Sequence, residues 1–148
     1  MKKHLSISFS KVFLNIILYL LGLLLVFFIT DILCSGINTN LFSWFIACLT
    51  YLLIIYNLRK IVYSADSMPF SFDNVKRFKK IGCYMIVIAV IDGITNWKVQ
   101  SHFNLFYIGS GSLKGSFIIY LILSCIAFVL SEIFEKAVEI KNENDLTI

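Results

Sequence analysis

The chain has 148 residues, 59% hydrophobic and 15% charged, with a mean hydropathy of +0.85. Soluble domains run at about 45–50% apolar and about 25% charged, so an ordinary water-soluble fold is excluded and a membrane domain with short connections is expected. The net charge of +4 does not point to nucleic acid: the basic residues stand at the ends of apolar runs, and no segment is long enough to build a soluble basic face.

The first apolar run extends from Val12 to Leu33, interrupted by Asn15, Thr30 and Asp31. As a helix it covers about 33 Å, enough to cross a hydrocarbon core of about 30 Å. Its basic start (Lys2, Lys3, Lys11) imitates a signal peptide, but the run exceeds a signal h-region and no A-x-A site follows. A lipoprotein reading of Cys34 fails because Asp31-Ile32-Leu33 lacks the small residue required before the cysteine. An uncleaved anchor is expected. The polar turn Ser35–Asn40 then suits a helical hairpin. The second run, Leu41 to Leu58, carries Trp44 near its outer end and stops at Arg59-Lys60.

From Arg59 to Lys80 the chain is polar and basic, with its single proline at Pro69. Ser71 is placed to cap a helix, and Asp73 falls in the first turn, where its charge complements the helix dipole. Phe72, Val75 and Phe78 recur at helical spacing opposite Lys76, Arg77, Lys79 and Lys80, predicting an interfacial amphipathic helix over 72–80. It runs into a third span, Ile81 to Thr95, of only about 22 Å, which crosses if Lys79 and Lys80 snorkel. The alternative is a helix that dips into the membrane and returns. An aromatic outer loop follows over 96–115, with Trp97, Phe103, Phe106 and Tyr107, and Gly109-Ser110-Gly111 as a flexible turn. The fourth span, about 116–133, leads into a charged helical continuation, with Glu132 and Lys136 in favourable i,i+4 order, and a tail over 134–148.

Orientation follows from Lys and Arg near the helix ends. Lys2, Lys3, Lys11, Arg59, Lys60, Lys76, Arg77, Lys79, Lys80, Lys136 and Lys141 fall on one side, against Lys98 and Lys114 on the other. Both termini are therefore expected in the cytoplasm.

Sites are sparse. Asp92 is the most unusual residue within a span, since a carboxylate at membrane depth is costly and by default a functional hypothesis. It is suited to take up a proton, hold a cation or pair with a partner helix. Its five-residue distance from Trp97 also lets it reach the outer headgroups. Asp31, on the same side, is read as interfacial, with a shared outer cation site as the sharper alternative. Asn15, Thr50, Asn57 and Ser124 are expected to hydrogen-bond between helices. His102 has no companion at metal-ligand spacing, and Ser110 and Ser112 lie in no nucleophile elbow. Cys34, Cys48, Cys83 and Cys125 have no CxxC spacing; neither a disulfide framework nor zinc is expected, and cysteines within apolar runs act as small buried hydrophobes. No cofactor and no enzymatic activity are expected.

Two segments carry a resemblance. Pro69-Phe70-Ser71-Phe72-Asp73-Asn74-Val75-Lys76-Arg77-Phe78, followed by Ile81-Gly82, resembles the central loop of the YoaS-like bacterial membrane proteins, domain-of-unknown-function family 2975. The ending, Ser131-Glu132-Ile133-Phe134-Glu135-Lys136-Ala137-Val138-Glu139-Ile140 with Glu143-Asn144-Asp145-Leu146-Thr147-Ile148, looks like that family's C-terminal signature, although Ala137 stands where glycine is expected. The resemblance implies four spans, a bacterial plasma membrane, no established activity, and a small helix-turn-helix regulator as a partner. The expectation is an all-α, four-helix transmembrane bundle, N-in and C-in, that acts as a non-enzymatic interaction protein. Its partner, that regulator or another membrane protein, would meet Phe72, Asp73, Asn74, Arg77, Glu132, Phe134, Glu143, Asp145 and Leu146. The alternative is a small transporter or channel component, or a toxin-immunity protein, using Asp92 and the outer aromatic loop.

Overall fold

A computed structural model describes residues 3–36, 38–95, 104–108 and 111–146. Four helices carry the architecture: α1 (Lys3–Ser35), α2 (Thr39–Ser64), α3 (Phe72–Thr95) and α4 (Gly115–Leu146). The protein is an all-α, four-helix membrane protein, as its composition predicts. Three segments are long and apolar enough to cross a bilayer: Ile7–Cys34, Thr39–Ser64 and Gly115–Asn144. α3, expected as the weakest span, lies outside that set because it carries Lys76, Arg77, Lys79 and Lys80 in its first turns and Asp92 near its end.

Local chemistry sets the ends of the helices. α1 stops at Gly36, whose φ of 80° suits glycine and whose N–H closes onto the Ile32 carbonyl at 3.0 Å. Asn38 caps α2 from an extended backbone, its side chain accepting from the Asn40 N–H at 3.3 Å. Ser71 caps α3 as expected, accepting from the Asn74 N–H through its hydroxyl (3.4 Å) and its carbonyl (3.0 Å). The helices extend well past the apolar runs, since a helix ends at its cap and not at the membrane surface. The amphipathic stretch 72–80 and the third span are accordingly one continuous helix.

The segment between α3 and α4 departs from the expected loop. β1 (Asn104–Ile108) pairs antiparallel with β2 (Gly111–Lys114), matching Phe106 with Leu113 and Ile108 with Gly111. Phe106, Tyr107 and Ile108 are strong strand formers, and Gly111 opens β2 instead of belonging to a flexible turn. Trp97, Lys98, His102, Phe103, Gly109 and Ser110 lie outside the described residues, as do the side chains of Phe106, Tyr107 and Ser112.

Packing is sequential: α1 on α2, α2 on α3, and α3 most extensively on α4. The core belongs to the last three helices, where Ile54, Ile81, Ile88 and Ala127 are buried together with Tyr51, Leu58 and Met85 against them. α1 stays on the outside, its Leu14 buried but Leu20, Leu23, Phe27 and Leu33 exposed, a surface suited to lipid. At one end, the loop end, the start of α1, the 65–71 connection and the projecting part of α4 gather; the hairpin occupies the other.

The α3–α4 seam depends on small residues. Ser124 Oγ donates to the Gly82 carbonyl at 2.9 Å, and Ser131 Oγ, fully buried, donates to the Val75 carbonyl at 3.0 Å. A Cβ on Gly82 would stand 3.0 Å from the Phe128 ring. Gly82→Val should therefore lower thermal stability in detergent by about 1–3 kcal/mol, the usual range for overpacking. Gly22→Ala, with nothing within 4 Å of the added carbon, should leave the melting temperature unchanged. Equal melting of Gly82→Val and the parent protein would mean the Phe128 ring swings clear.

Candidate functional site

The loop end is organised around Asn74, only 1% exposed in the first turn of α3. Its Nδ2 donates to Ser64 Oγ at 2.7 Å and to the Pro69 carbonyl at 2.9 Å. Its Oδ1 accepts from Arg77 Nη1 at 2.7 Å and lies 2.9 Å from the Ser64 hydroxyl. That hydroxyl has one proton, which goes to Asn74 Oδ1 or to the Ile61 carbonyl at 2.8 Å. One amide thus ties the last turn of α2, the proline turn and the start of α3. Sequence patterning groups Asn74 with surface residues; the structure buries it as the tie of the connection, out of a partner's reach.

Around this tie the two motif segments meet. Phe134 of α4 packs between Phe70 and Phe78, with ring centroids at 5.7 and 5.0 Å. Lys79 Nζ donates to Glu135 Oε2 at 3.0 Å. The ion pair on this part of α4 is therefore interhelical and uses Glu135 in place of the expected Glu132–Lys136 pair. Phe72, Asp73, Glu132 and Glu143 are exposed on the same end, while Arg77 and Phe134 are half-buried. Asp145 and Leu146 close α4, with side chains outside the described set. Phe70 and Ser131 stand within the two resemblance segments but outside the expected partner-contact set. The signal for Ser131 lies in the 3–4 spacing of Tyr120, Ser124, Ala127, Ser131, Phe134 and Val138 along one face of α4.

α1 is fastened to the same end. Lys11 pairs with Asp66 in the connection. Arg59 Nε donates to Asn15 Oδ1 at 2.6 Å, and Asn15 Nδ2 donates to the Tyr63 hydroxyl at 3.0 Å. Asn15 and Ser124 thus link helices as expected. Thr50 and Asn57 instead bond back within α2, to the carbonyls of Ile46 (2.8 Å) and Leu53 (2.7 Å). Such return bonds are the local alternative open to short polar side chains in a helix.

At the hairpin end, Ser116 Oγ donates to Asp92 Oδ2 at 2.6 Å. Asp92 is half-buried and lies where α4 begins, so its carboxylate offsets the positive end of that helix. It borders a cavity of about 200 Å³ between α2, α3 and α4, with Ser43, Trp44, Tyr51, Thr95 and Tyr120 on the walls. The Tyr51 and Tyr120 hydroxyls meet there at 2.7 Å. Asp31 does not line this cavity, so the structure does not bring the two acids together in it. The four cysteines are free; Cys48 is buried, whereas Cys34, Cys83 and Cys125 face outward, contrary to the expected burial of the latter two. Among the described residues no three His, Cys, Asp or Glu side chains converge.

Asn74→Ala should destabilise the protein by about 1–3 kcal/mol, since the Pro69 carbonyl and the Arg77 guanidinium lose a buried partner. Thermal unfolding in detergent measures this. Phe72→Ala, which removes an exposed ring beside it, should shift the midpoint by much less.

Comparison with known proteins gives one result. A family model described as "Protein of unknown function (DUF2975)" matches residues 9–148. No curated protein and no solved structure matches the chain. The match covers α1 from residue 9 onward, the other three helices whole and both segments that meet at Phe134, and the chain belongs to the DUF2975 family of proteins of unknown function.

Proposed function

We propose that this protein is a non-enzymatic, four-pass protein of a bacterial plasma membrane, and that its cytoplasmic end engages a regulatory partner. The observation that carries this reading is the junction of two segments far apart in sequence. Phe70 and Phe78 close on Phe134, Val75 receives the Ser131 hydroxyl, and Lys79 pairs with Glu135. A surface built jointly by the start of α3 and the end of α4 reports their relative position to anything bound there.

Lengths and charges support the placement. α4 has 32 residues, about 48 Å of helix, which exceeds a core of about 30 Å by several turns. Its projecting part carries Glu139, Lys141, Asn142, Glu143 and Asn144, all exposed. α3 has 24 residues, about 36 Å, and crosses with its lysines at the headgroups. The Lys and Arg bias supports a cytoplasmic placement of the loop end and both termini. The family resemblance suggests a small helix-turn-helix regulator as the partner, with another membrane protein as the second choice.

Crosslinking in intact cells, followed by recovery of an epitope-tagged protein with a free tail, tests the reading. The parent protein should recover a defined partner, and deletion of 142–148 should cut its yield at least tenfold at an unchanged membrane level. Equal recovery by the deletion protein would remove Glu143, Asp145 and Leu146 from the partner surface, and failure of the parent protein to recover any partner would overturn the reading.

The cavity at Asp92 favours a second reading, a small transporter, channel component or immunity protein. Asp92→Asn keeps an acceptor for Ser116 but removes the charge, so it should abolish ion flux or protection while leaving insertion intact and lowering stability by only about 1 kcal/mol, the lost helix-dipole contribution. A fully active Asp92→Asn protein would sink the ion-coupled version.

A further inference from the structure

Between α2 and α3, at the loop end, lies a second polar cavity of about 390 Å³. Its rim gathers Lys60 from α2 and Lys76, Arg77 and Lys80 from α3, four cations facing a single carboxylate, Asp73. Two of the cations are pre-positioned. Lys60 Nζ is held 4.5 Å from the centroid of the Tyr56 ring. Arg77 is anchored through Nη1 to the buried Asn74, and a guanidinium has further donors in its fork. Four like charges brought together by folding repel one another, and an anion relieves that repulsion.

The walls say which kind of anion. Away from the cations the lining is Leu53, Tyr56 and Asn57 on α2 and Tyr84 on α3, and the Asn57 amide is already turned back onto the Leu53 carbonyl. Each wall continues at helical spacing away from the charged rim. On α2 the stripe runs Lys60, Tyr56, Leu53, Leu49; on α3 it runs Lys76, Lys80, Tyr84, Val87. Leu49 is 39% exposed and Val87 42%, so both stripes remain open toward the apolar middle of the protein's surface. A groove that is cationic at its mouth and hydrocarbon along its length matches an amphiphile. A free phosphate would use only the mouth.

We propose that the α2–α3 groove is a binding site for one anionic phospholipid. Its phosphate sits among Lys60, Lys76, Arg77 and Lys80, and an acyl chain lies along Leu53, Tyr84 and Val87. Arg77 supplies the directional donors, and the lysines supply charge at the headgroup level. Asp73 sets a limit on the headgroup, since a second phosphate near it would be repelled. Lipid in this groove contacts the start of α3 and therefore bears on the tie at Asn74, and it needs no partner protein to bind.

The test is native mass spectrometry of the purified full chain titrated with phosphatidylglycerol or phosphatidylcholine. The parent protein should hold one phosphatidylglycerol at least tenfold more tightly than phosphatidylcholine. Replacing Lys60, Lys76 and Lys80 together by glutamine should weaken phosphatidylglycerol binding on the order of a hundredfold, at roughly one charge contact per lysine. The matching triple arginine variant should retain it, which separates lost binding from lost folding. Lys136→Gln with Lys141→Gln, which removes charge from α4 outside the groove, should bind like the parent. An equal loss in that control would reduce the effect to general surface charge and overturn the site. Displacement of the lipid by millimolar inorganic phosphate would assign the cations to a soluble anion and overturn the lipid assignment.

Discussion

The antiparallel contact between α3 and α4 is the constraint on which the rest of the structure depends. In lipid there is no hydrophobic force to drive two helices together, so close packing and interhelical hydrogen bonds must do it. The chain meets that requirement with small residues on both faces. Gly82 and Ala89 on α3 face the side of α4 that carries Ser124, Ala127 and Ser131; the last four are at most 6% exposed, and a Cβ on Gly82 would stand 3.0 Å from the Phe128 ring. The serine hydroxyls then reach α3 carbonyls, adding polar contacts that a Leu-lined seam would lack. Asp92 with Ser116 closes this seam at one end and Phe134 with Phe78 at the other.

That seam explains how the least apolar helix is accommodated. α3 alone has too many charges in its first turns to be a persuasive span, but α2 and α4 bury its Val75, Ile81, Ile88 and Ala89. Its cations are left on the outer side of the first turns, where Lys79 meets Glu135 and the others line the α2–α3 groove. α1 contributes little to this core. It is held at the loop end by Lys11, Asn15 and their partners, and along the rest of its length one half-buried face, with Leu18, Leu21, Leu25 and Phe28, runs on α2 while Leu20, Leu23, Phe27 and Leu33 face outward.

Much of this was legible in the sequence because hydropathy reports how much apolar surface a segment has. The four helices, the Ser71 cap, Asp73 in the first turn and the Asn15 link all follow from composition, spacing and short-range chemistry. Hydropathy does not report which face meets which neighbour. Ser131 looks like an ordinary polar residue at the end of a span, and only its 3–4 register with Ser124 and Ala127 marks it as part of a seam. Asn74 reads as a surface residue because its neighbours Asp73 and Lys76 are exposed, yet the turn at Pro69 folds back over it. The pairing of Glu135 with Lys79 in preference to a Glu132–Lys136 pair has the same origin, since intrahelical spacing is visible in one dimension and interhelical register is not. The hairpin was obscured for a different reason: its aromatics are equally at home in an interfacial belt and in a strand.

The two polar clusters sit at opposite ends of the same helix pair, and this shapes what each can do. Asp92, near the end of α3, meets the start of α4, where it accepts from Ser116 and offsets the helix dipole, so it has a structural role there. A change in its charge would act on the α3–α4 seam as well as on any ion in the neighbouring cavity. Asn74 holds the start of α3 to the end of α2, and Arg77 joins that tie to the cationic groove. A ligand that draws on the Arg77 guanidinium competes with or reinforces the bond to Asn74, and the consequence passes to Val75 and thence to Ser131 one seam away. The loop end therefore has a physical route by which an occupant of the α2–α3 groove, if it binds as proposed, would alter the surface shared by α3 and α4. That route runs through three named side chains and one backbone carbonyl, short enough that each step can be broken separately.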